Sequence, residues 1–293
     1  MKYSAIVATL FASALLIATH DSRAQTQEAQ PSHRPTTSPC LRDGASVRAP
    51  IELAFGVPGA AGLADFGGTP SPCSHAGFSL GARGGALIAT RAFYGAIDVQ
   101  GNASGSYAWS DRTWATLSLD FVRYRTVINA SVITAPIDLG ATTLTVNQVI
   151  ARDSVTQVTV FARVLLPTES GMRYGRRMGL EPGLSMVWAP STNFALLGGL
   201  SLPYSITVSA GDPVMSFTPR ATFDAALRVV KPFEILVGIE ARAGLEALEY
   251  LAPRGSLRLH FARVASIDLS VMAPLGGREV TLARGSLTYA MRW

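Results

Sequence analysis

Residues 285–293 read "GSLTYAMRW". Leu287, Tyr289, Met291 and Trp293 are apolar at every second position, and Ser286, Thr288, Ala290 and Arg292 between them are small or polar. A period of two puts the first set on one face of a strand and the second set on the other. The fold therefore depends on what covers a face made of Leu, Tyr, Met and Trp.

The same alternation runs back through the chain. Ala115, Leu117, Leu119 and Phe121 alternate with Thr116, Ser118 and Asp120. Val158, Val160, Ala162 and Val164 alternate with Gln157, Thr159 and Arg163, and Phe161 breaks the pattern on the polar side. Ala221, Phe223, Ala225, Leu227 and Val229 alternate with Arg220, Thr222, Asp224 and Arg228; Phe233, Ile235, Val237 and Ile239 with Glu234, Gly238 and Glu240; Leu257, Leu259 and Phe261 with Arg258 and His260; and Ile267, Leu269 and Val271 with Ser266, Asp268 and Ser270. Long helical patterns are absent from about Gly85 onward.

Alternation alone fits a soluble β-sandwich as well as a membrane barrel, because both have one apolar face. Composition and connections separate them. The 293 residues are 48% hydrophobic and only 15% charged, where a soluble protein carries nearer a quarter charged residues. Tight connections ("SDRT" at Ser110, "ARDS" at Ala151, "APST" at Ala189, "VKP" at Val230, "ARVA" at Ala262) alternate with mostly longer ones ("RTVINASVITAPIDL", "PTESGMRYGRRM", "SAGDPVMSFTP", "EALEYLAPRGS"); "GNASG" and "PLGG" read as short exceptions. Short turns on one rim and long loops on the other, recurring roughly every 40 residues, suit paired strands of about ten residues in an outer-membrane barrel. A β-propeller shares that period but packs four short strands into it, and its repeat signatures are missing. The pattern predicts an all-β, antiparallel transmembrane β-barrel of about 12 strands, with 10–14 compatible. Its strands are placed over 85–293, the first near 86–99 and the second near 104–110.

The tryptophans support that reading. Trp109, Trp114, Trp188 and Trp293 all fall at the short-turn rim, where amphipathic rings suit a membrane–water interface. Phe233 would join them. By strict parity Trp114 belongs to the polar set, so its assignment to the interface requires it to lie within the turn.

The N-terminus reads as an export signal. Lys2 precedes the apolar run "SAIVATLFASALLIAT", and "SRA" at Ser22–Ala24 offers a small-x-small cleavage site. Residues 1–24 are expected to be a signal peptide, and 25–84 a flexible periplasmic segment or a small plug in the barrel mouth. Residues 25–50 are rich in Pro, Ser, Thr and Gln. Cys40 and Cys73 are the only cysteines, and in an oxidising compartment they can close a disulfide or stay as two thiols.

The export signal, the alternating strands and "LTYAMRW" together resemble bacterial outer-membrane β-barrel proteins. In that class the last strand ends on an aromatic residue and is read as an insertion signal by the outer-membrane barrel assembly machinery. The resemblance implies that role for Leu287, Tyr289, Met291 and Trp293, and a place in the outer membrane of a Gram-negative bacterium. The stretch "TVFARVLLPTES" is also similar to transporter-type barrels of the phenol-degradation-pathway family.

No P-loop, zinc-type spacing or nucleophile elbow is present, and "GARGGA" at Gly81–Ala86 lacks a surrounding βαβ unit. No metal and no cofactor is expected. The net charge of +5 comes without a polybasic cluster, which argues against nucleic-acid binding. Arg163, Glu181, Arg220, Asp224, Arg228, Glu234, Glu240, Arg242, Arg258, His260 and Asp268 are all expected to face the lumen. They can fill a narrow barrel as salt bridges or line a path for small solutes. Glu240 and Arg242, two residues apart on one face, can pair. If the "ARVA" turn centres near Val264, His260 faces Asp268, with Ser266 and Ser270 diagonal to it. Outer-membrane phospholipases use Ser and His, but in a His-x-Ser motif that "HFA" does not match. Arg173, Arg176 and Arg177 form a basic outer loop, either solvated or able to contact lipopolysaccharide phosphates. The leading expectation is passive or facilitated passage of an unidentified small molecule. The alternatives are a closed structural barrel and a barrel hydrolase using His260.

Overall fold

The computed structural model describes residues 39–42, 46–47, 70–73, 76–89, 94–129, 132–134, 137–138, 142–168, 176–208, 213–230, 232–243, 248–260, 265–272, 276–277 and 280–292. Two compact units divide the chain, Met1–Thr36 and Thr37–Trp293. The first lies outside the described residues, as does the expected signal peptide.

Among the described residues, twelve antiparallel staves close into a barrel. They are β1 Gly77–Ala89, β2 Tyr94–Ala108, β3 Thr113–Asn129, β4 Thr142–Arg152, β5 Thr156–Leu166, β6 Arg176–Ser191, β7 Phe194–Ser201, β8 Arg220–Val230, β9 Phe233–Ala243, β10 Leu248–His260, β11 Ala265–Met272 and β12 Val280–Arg292. Tyr204–Val208 continues β7, and Val214–Phe217 leads into β8. Short pieces at Val132–Thr134 and Ile137–Asp138 pair with β3, and Gly276–Gly277 pairs with β10. The ring closes where β12 pairs with β1 from Val280↔Ile88 to Arg292↔Gly77. Closure leaves no sheet edge to be paired elsewhere.

Local chemistry sets the short turns. Ser110 Oγ accepts from the N–H groups of Arg112 and Thr113 at 3.1 and 3.0 Å. Asp153 Oδ1 accepts from Val155 and Thr156 N–H, both at 2.7 Å. Those bonds, Val155 first, hold the Asp153 carboxyl below its ordinary range. Side chains that replace a strand's next backbone acceptor in this way favour a turn.

The faces divide as the pleat requires. Phe223, Val237, Leu257, Leu269 and Val271 are each between 44% and 59% exposed on the outside. Thr222, Asp224, Glu240, Arg258, Asp268 and Ser270, on the opposite parity, are buried inside. Exposed Leu, Val and Phe outside a polar, buried interior is the inverse of a soluble domain and matches a lipid-facing barrel.

The first staves differ from the sequence reading. The barrel begins at Gly77, not residue 85, and "GARGGA" lies inside β1. "GNASG" lies inside β2 rather than between strands. Gly, Asn, Ala and Ser carry little strand preference, and pairing on both sides holds the segment, with a register shift at Gly101/Asn102. Ser104 Oγ reaches Ser79 Oγ at 2.6 Å across the lumen face.

Candidate functional site: the barrel lumen

Among the described residues, the lumen shows three ion-pair groups, carried on β5, β6 and β8–β11. In the first, Glu181 lies between two arginines, at 3.3 Å from Arg163 Nη1 and 2.5 Å from Arg220 Nη2. Arg163 Nε also donates to Thr145 Oγ1 at 3.1 Å, and Arg220 Nε to Ser201 Oγ at 3.3 Å. Register explains the meeting: Arg163 is the direct cross-strand partner of Glu181.

The second group joins Asp224, Glu240, Arg242 and Arg254. Arg254 forks onto Asp224, with Nε donating to Oδ1 at 2.7 Å and Nη2 to Oδ2. Its Nη1 reaches Glu240 Oε2 at 3.1 Å, and Arg242 Nε reaches Glu240 Oε1 at 3.1 Å. Asp224 lies over Gly238, its direct cross-strand partner. A Cβ at Gly238 would collide with the Asp224 carboxylate and with the Phe223 carbonyl. Arg254 was not singled out from the sequence. It follows Pro253, and the sequence read there as loop.

The third group surrounds Arg258. Its Nε lies 3.1 Å and its Nη2 3.0 Å from Asp268 Oδ2, and its Nη1 lies 3.5 Å from Glu234 Oε2. Ser256 and Ser270 donate to Asp268 Oδ1 at 3.0 and 2.6 Å. His260 Nε2 is 3.1 Å from Glu234 Oε2. The expected His260–Asp268 pair is therefore corrected. The register aligns His260 with Ser266 and Arg258 with Asp268, so the hairpin is centred one residue earlier than Val264 and the cross-strand partner of His260 moves by two. Asp268 is engaged by Arg258 and two serines, and His260 by Glu234. Arg228 stands opposite Glu234 in register.

These groups are dry. Arg163, Glu181, Glu240, Arg258 and Asp268 are at most 1% exposed. Within these three groups five arginines face five carboxylates, so their charges balance.

At the short-turn end the lumen is filled differently. Cys40 and Cys73 are joined in a disulfide. The cystine packs inside the barrel with Val187, Ala189, Ala195, Leu197, Ala226 and Leu236. The preceding residues Ser71 and Pro72 are buried too. Gln157 Nε2 and Thr159 Oγ1 both donate to the Pro72 carbonyl, at 2.5 and 2.7 Å. Part of the stretch expected as a flexible segment or plug thus lies within the barrel; the rest of residues 25–76 is mostly outside the described residues. Sequence reading did not single out the apolar lumen patch, although "SMVW" and "FALL" carry apolar residues on both parities.

Aromatic placement splits. Trp109 is 60% exposed and meets Tyr107 edge-on at 5.7 Å between ring centroids. Trp188 meets Phe194 in the same way at 6.3 Å. Trp114 is not an interface residue: it is 1% exposed and points inward. β3 already starts at Thr113, so strand parity governs the Trp114 side chain. Trp293 lies outside the described residues, as does Arg173. Tyr289 packs on Phe78 of β1 at 6.1 Å, within the closing pair of strands that holds Leu287 and Met291.

No family model matches the chain, and no curated protein matches it. Solved structures do match. An outer membrane channel from Pseudomonas putida F1 aligns at a TM-score of 0.58 and 11% identity, over 81% of this chain and 99% of that one. The beta domain of the Bordetella autotransporter BrkA aligns at 0.52 and 11% identity, over 74% and 99%. The chain has the fold of bacterial outer-membrane β-barrels.

Proposed function

We propose that this protein resides in an outer membrane and passes a small molecule across it, in a conformation whose lumen is closed. The observation that carries this is the polar filling of the barrel waist. A barrel that only needed filling could use apolar side chains and avoid the cost of drying ten charges. Paired guanidinium and carboxylate groups can instead exchange partners and rehydrate, which lets a closed section open. The Pseudomonas putida channel of like fold agrees with this direction. The exterior Leu, Val and Phe side chains take lipid as their partner, and the barrel assembly machinery would insert the chain. Arg173, with Arg176 and Arg177 at the start of β6, would meet lipopolysaccharide phosphates. The near-zero exposure of the ion pairs favours one rival, a permanently closed structural barrel.

Planar-bilayer conductance and liposome swelling decide between them. Both are measured on the full chain and on Cys40→Ser/Cys73→Ser, which frees the buried segment from its covalent closure. Discrete conductance steps, larger in the double variant, are expected. No conductance and no swelling from either protein would leave the structural barrel standing.

A further inference from the structure

The buried Pro72–Cys73 segment is tied to the outside of the barrel by a continuous chain of hydrogen bonds. Asp111 sits in the β2–β3 turn with its side chain 75% exposed. Arg152, at the end of β4, donates from Nη1 to Asp111 Oδ2 at 2.6 Å and from Nη2 to the Asp111 carbonyl at 2.5 Å. Its Nε donates to Gln157 Oε1 at 2.7 Å. Gln157, fully buried, then donates from Nε2 to the Pro72 carbonyl. A primary amide can present either its oxygen or its nitrogen to a neighbour. Arg152 has only donors, so it claims the Gln157 oxygen and turns the nitrogen toward Pro72. Thr159 supplies the second donor to the same carbonyl. Cys73 N–H donates to Ser71 Oγ at 3.1 Å, which fixes the bend that presents Pro72.

We infer that Arg152 is a positioning residue for a lumen latch: through Gln157 it sets how firmly the cystine-bearing segment is seated, from a rim turn that a periplasmic partner or salt can reach. Gln157 and Thr159 are the docking residues, and the apolar patch around Val187 and Leu197 is the seat. Loss of the Asp111–Arg152 clasp frees the Gln157 amide to rotate, and the segment then leaves its seat more often. As a control on solute passage the latch rests on the reading above. The docking itself does not, and it is tested without any solute.

The measurement is the rate at which tris(2-carboxyethyl)phosphine opens Cys40–Cys73 in the folded, full-length barrel in detergent, read by maleimide labelling of the two thiols. The wild type is expected to react slowly, because the cystine is covered. Gln157→Leu/Thr159→Val and Arg152→Met should each react on the order of tenfold faster, the effect of losing one or two buried hydrogen bonds from a local opening equilibrium. Arg152→Lys should be fast as well, because an ammonium lacks the planar fork that bonds Asp111 and Gln157 together. A lysine rate equal to wild type would show that only charge matters there and would overturn the positioning role. Equal rates for all variants would overturn the latch. Leu117→Ala, on the lipid side, is the control and should match wild type. Heat-modifiable migration confirms folding in each case. Should Arg152→Met fail to fold, Asp111→Ala, altered only at an exposed side chain, takes its place with a smaller acceleration expected and no acceleration counting against the latch.

Discussion

Glu181 answers to two guanidinium groups. It is fully buried, with Arg163 on one oxygen and Arg220 on the other. Glu181→Gln keeps the shape and removes the charge, which strands two arginines in a dry section. Removing one partner of a buried ion pair typically costs about 3–5 kcal/mol, because the remaining charge is left uncompensated. The expected outcome is a clearly lower denaturant midpoint for the refolded barrel, followed by tryptophan fluorescence. An unchanged midpoint would mean that water reaches Arg163 and Arg220. At this scale the sequence was a good guide to which side a residue faces and a poor one to its partner. Parity placed Glu181, Arg163 and Asp268 inward. It also placed Trp114 inward, and the turn exception invoked against it was the error. His260 was assigned the wrong carboxylate because partners depend on register, which a turn of unknown length leaves free by two residues.

Each stave presents its apolar set to the outside, and the depth of a position along the stave should decide what a charge there costs. Val237 lies mid-stave on β9 and is 59% exposed; Val229 is near the short-turn end of β8 and is 63% exposed. A soluble protein would tolerate arginine at both. In a bilayer Val237→Arg is expected to cost about 2–4 kcal/mol and Val229→Arg about 0–1 kcal/mol. Equilibrium folding into liposomes measures both, and equal small costs would count against a lipid-facing exterior. The staves legible in the sequence were those with large side chains on one face, such as β8, β9 and β11. β2 was not, because Gly101, Asn102, Ala103, Ser104 and Gly105 hold their place through neighbours rather than through hydrophobicity. β6 and β7 misled in another way. Val187, Ala189, Ala195 and Leu197 are apolar on the lumen side because the cystine covers them there. Apolar residues on both faces at one rim are the signal of an internal occupant, but alternation counts discard that signal as noise.

Across the whole molecule, what converts twelve staves into a container is a single ladder between β1 and β12. These staves are the most distant in sequence, and nothing in the alternation of either one names its partner. The ladder runs through twelve pairs, with an irregularity between Thr281 and Ala283. At twelve pairs it is nearly as long as the thirteen-pair ladder of the β1–β2 hairpin. Closure also underlies the lumen argument, because an open sheet would expose Asp268, Ser270 and Arg258 to water along one side. Ser79 and Ala290 stand directly opposite in the ladder. Ser79→Cys/Ala290→Cys should therefore form a disulfide on mild oxidation of the folded protein. After boiling without reductant, the cross-linked chain should migrate faster than the reduced one, because a loop spanning nearly the whole barrel is held shut. The wild type, with only Cys40–Cys73 joined, supplies the baseline shift for a short loop. Shifting one cysteine by a residue, as in Leu80→Cys/Ala290→Cys, puts the two thiols on opposite faces and should abolish the cross-link. Cross-linking of the second pair but not the first would require a ladder slipped by one residue, which would exchange the lipid and lumen faces of β12. Cross-linking of neither would require an open sheet, and with it a different account of how the buried charges stay dry.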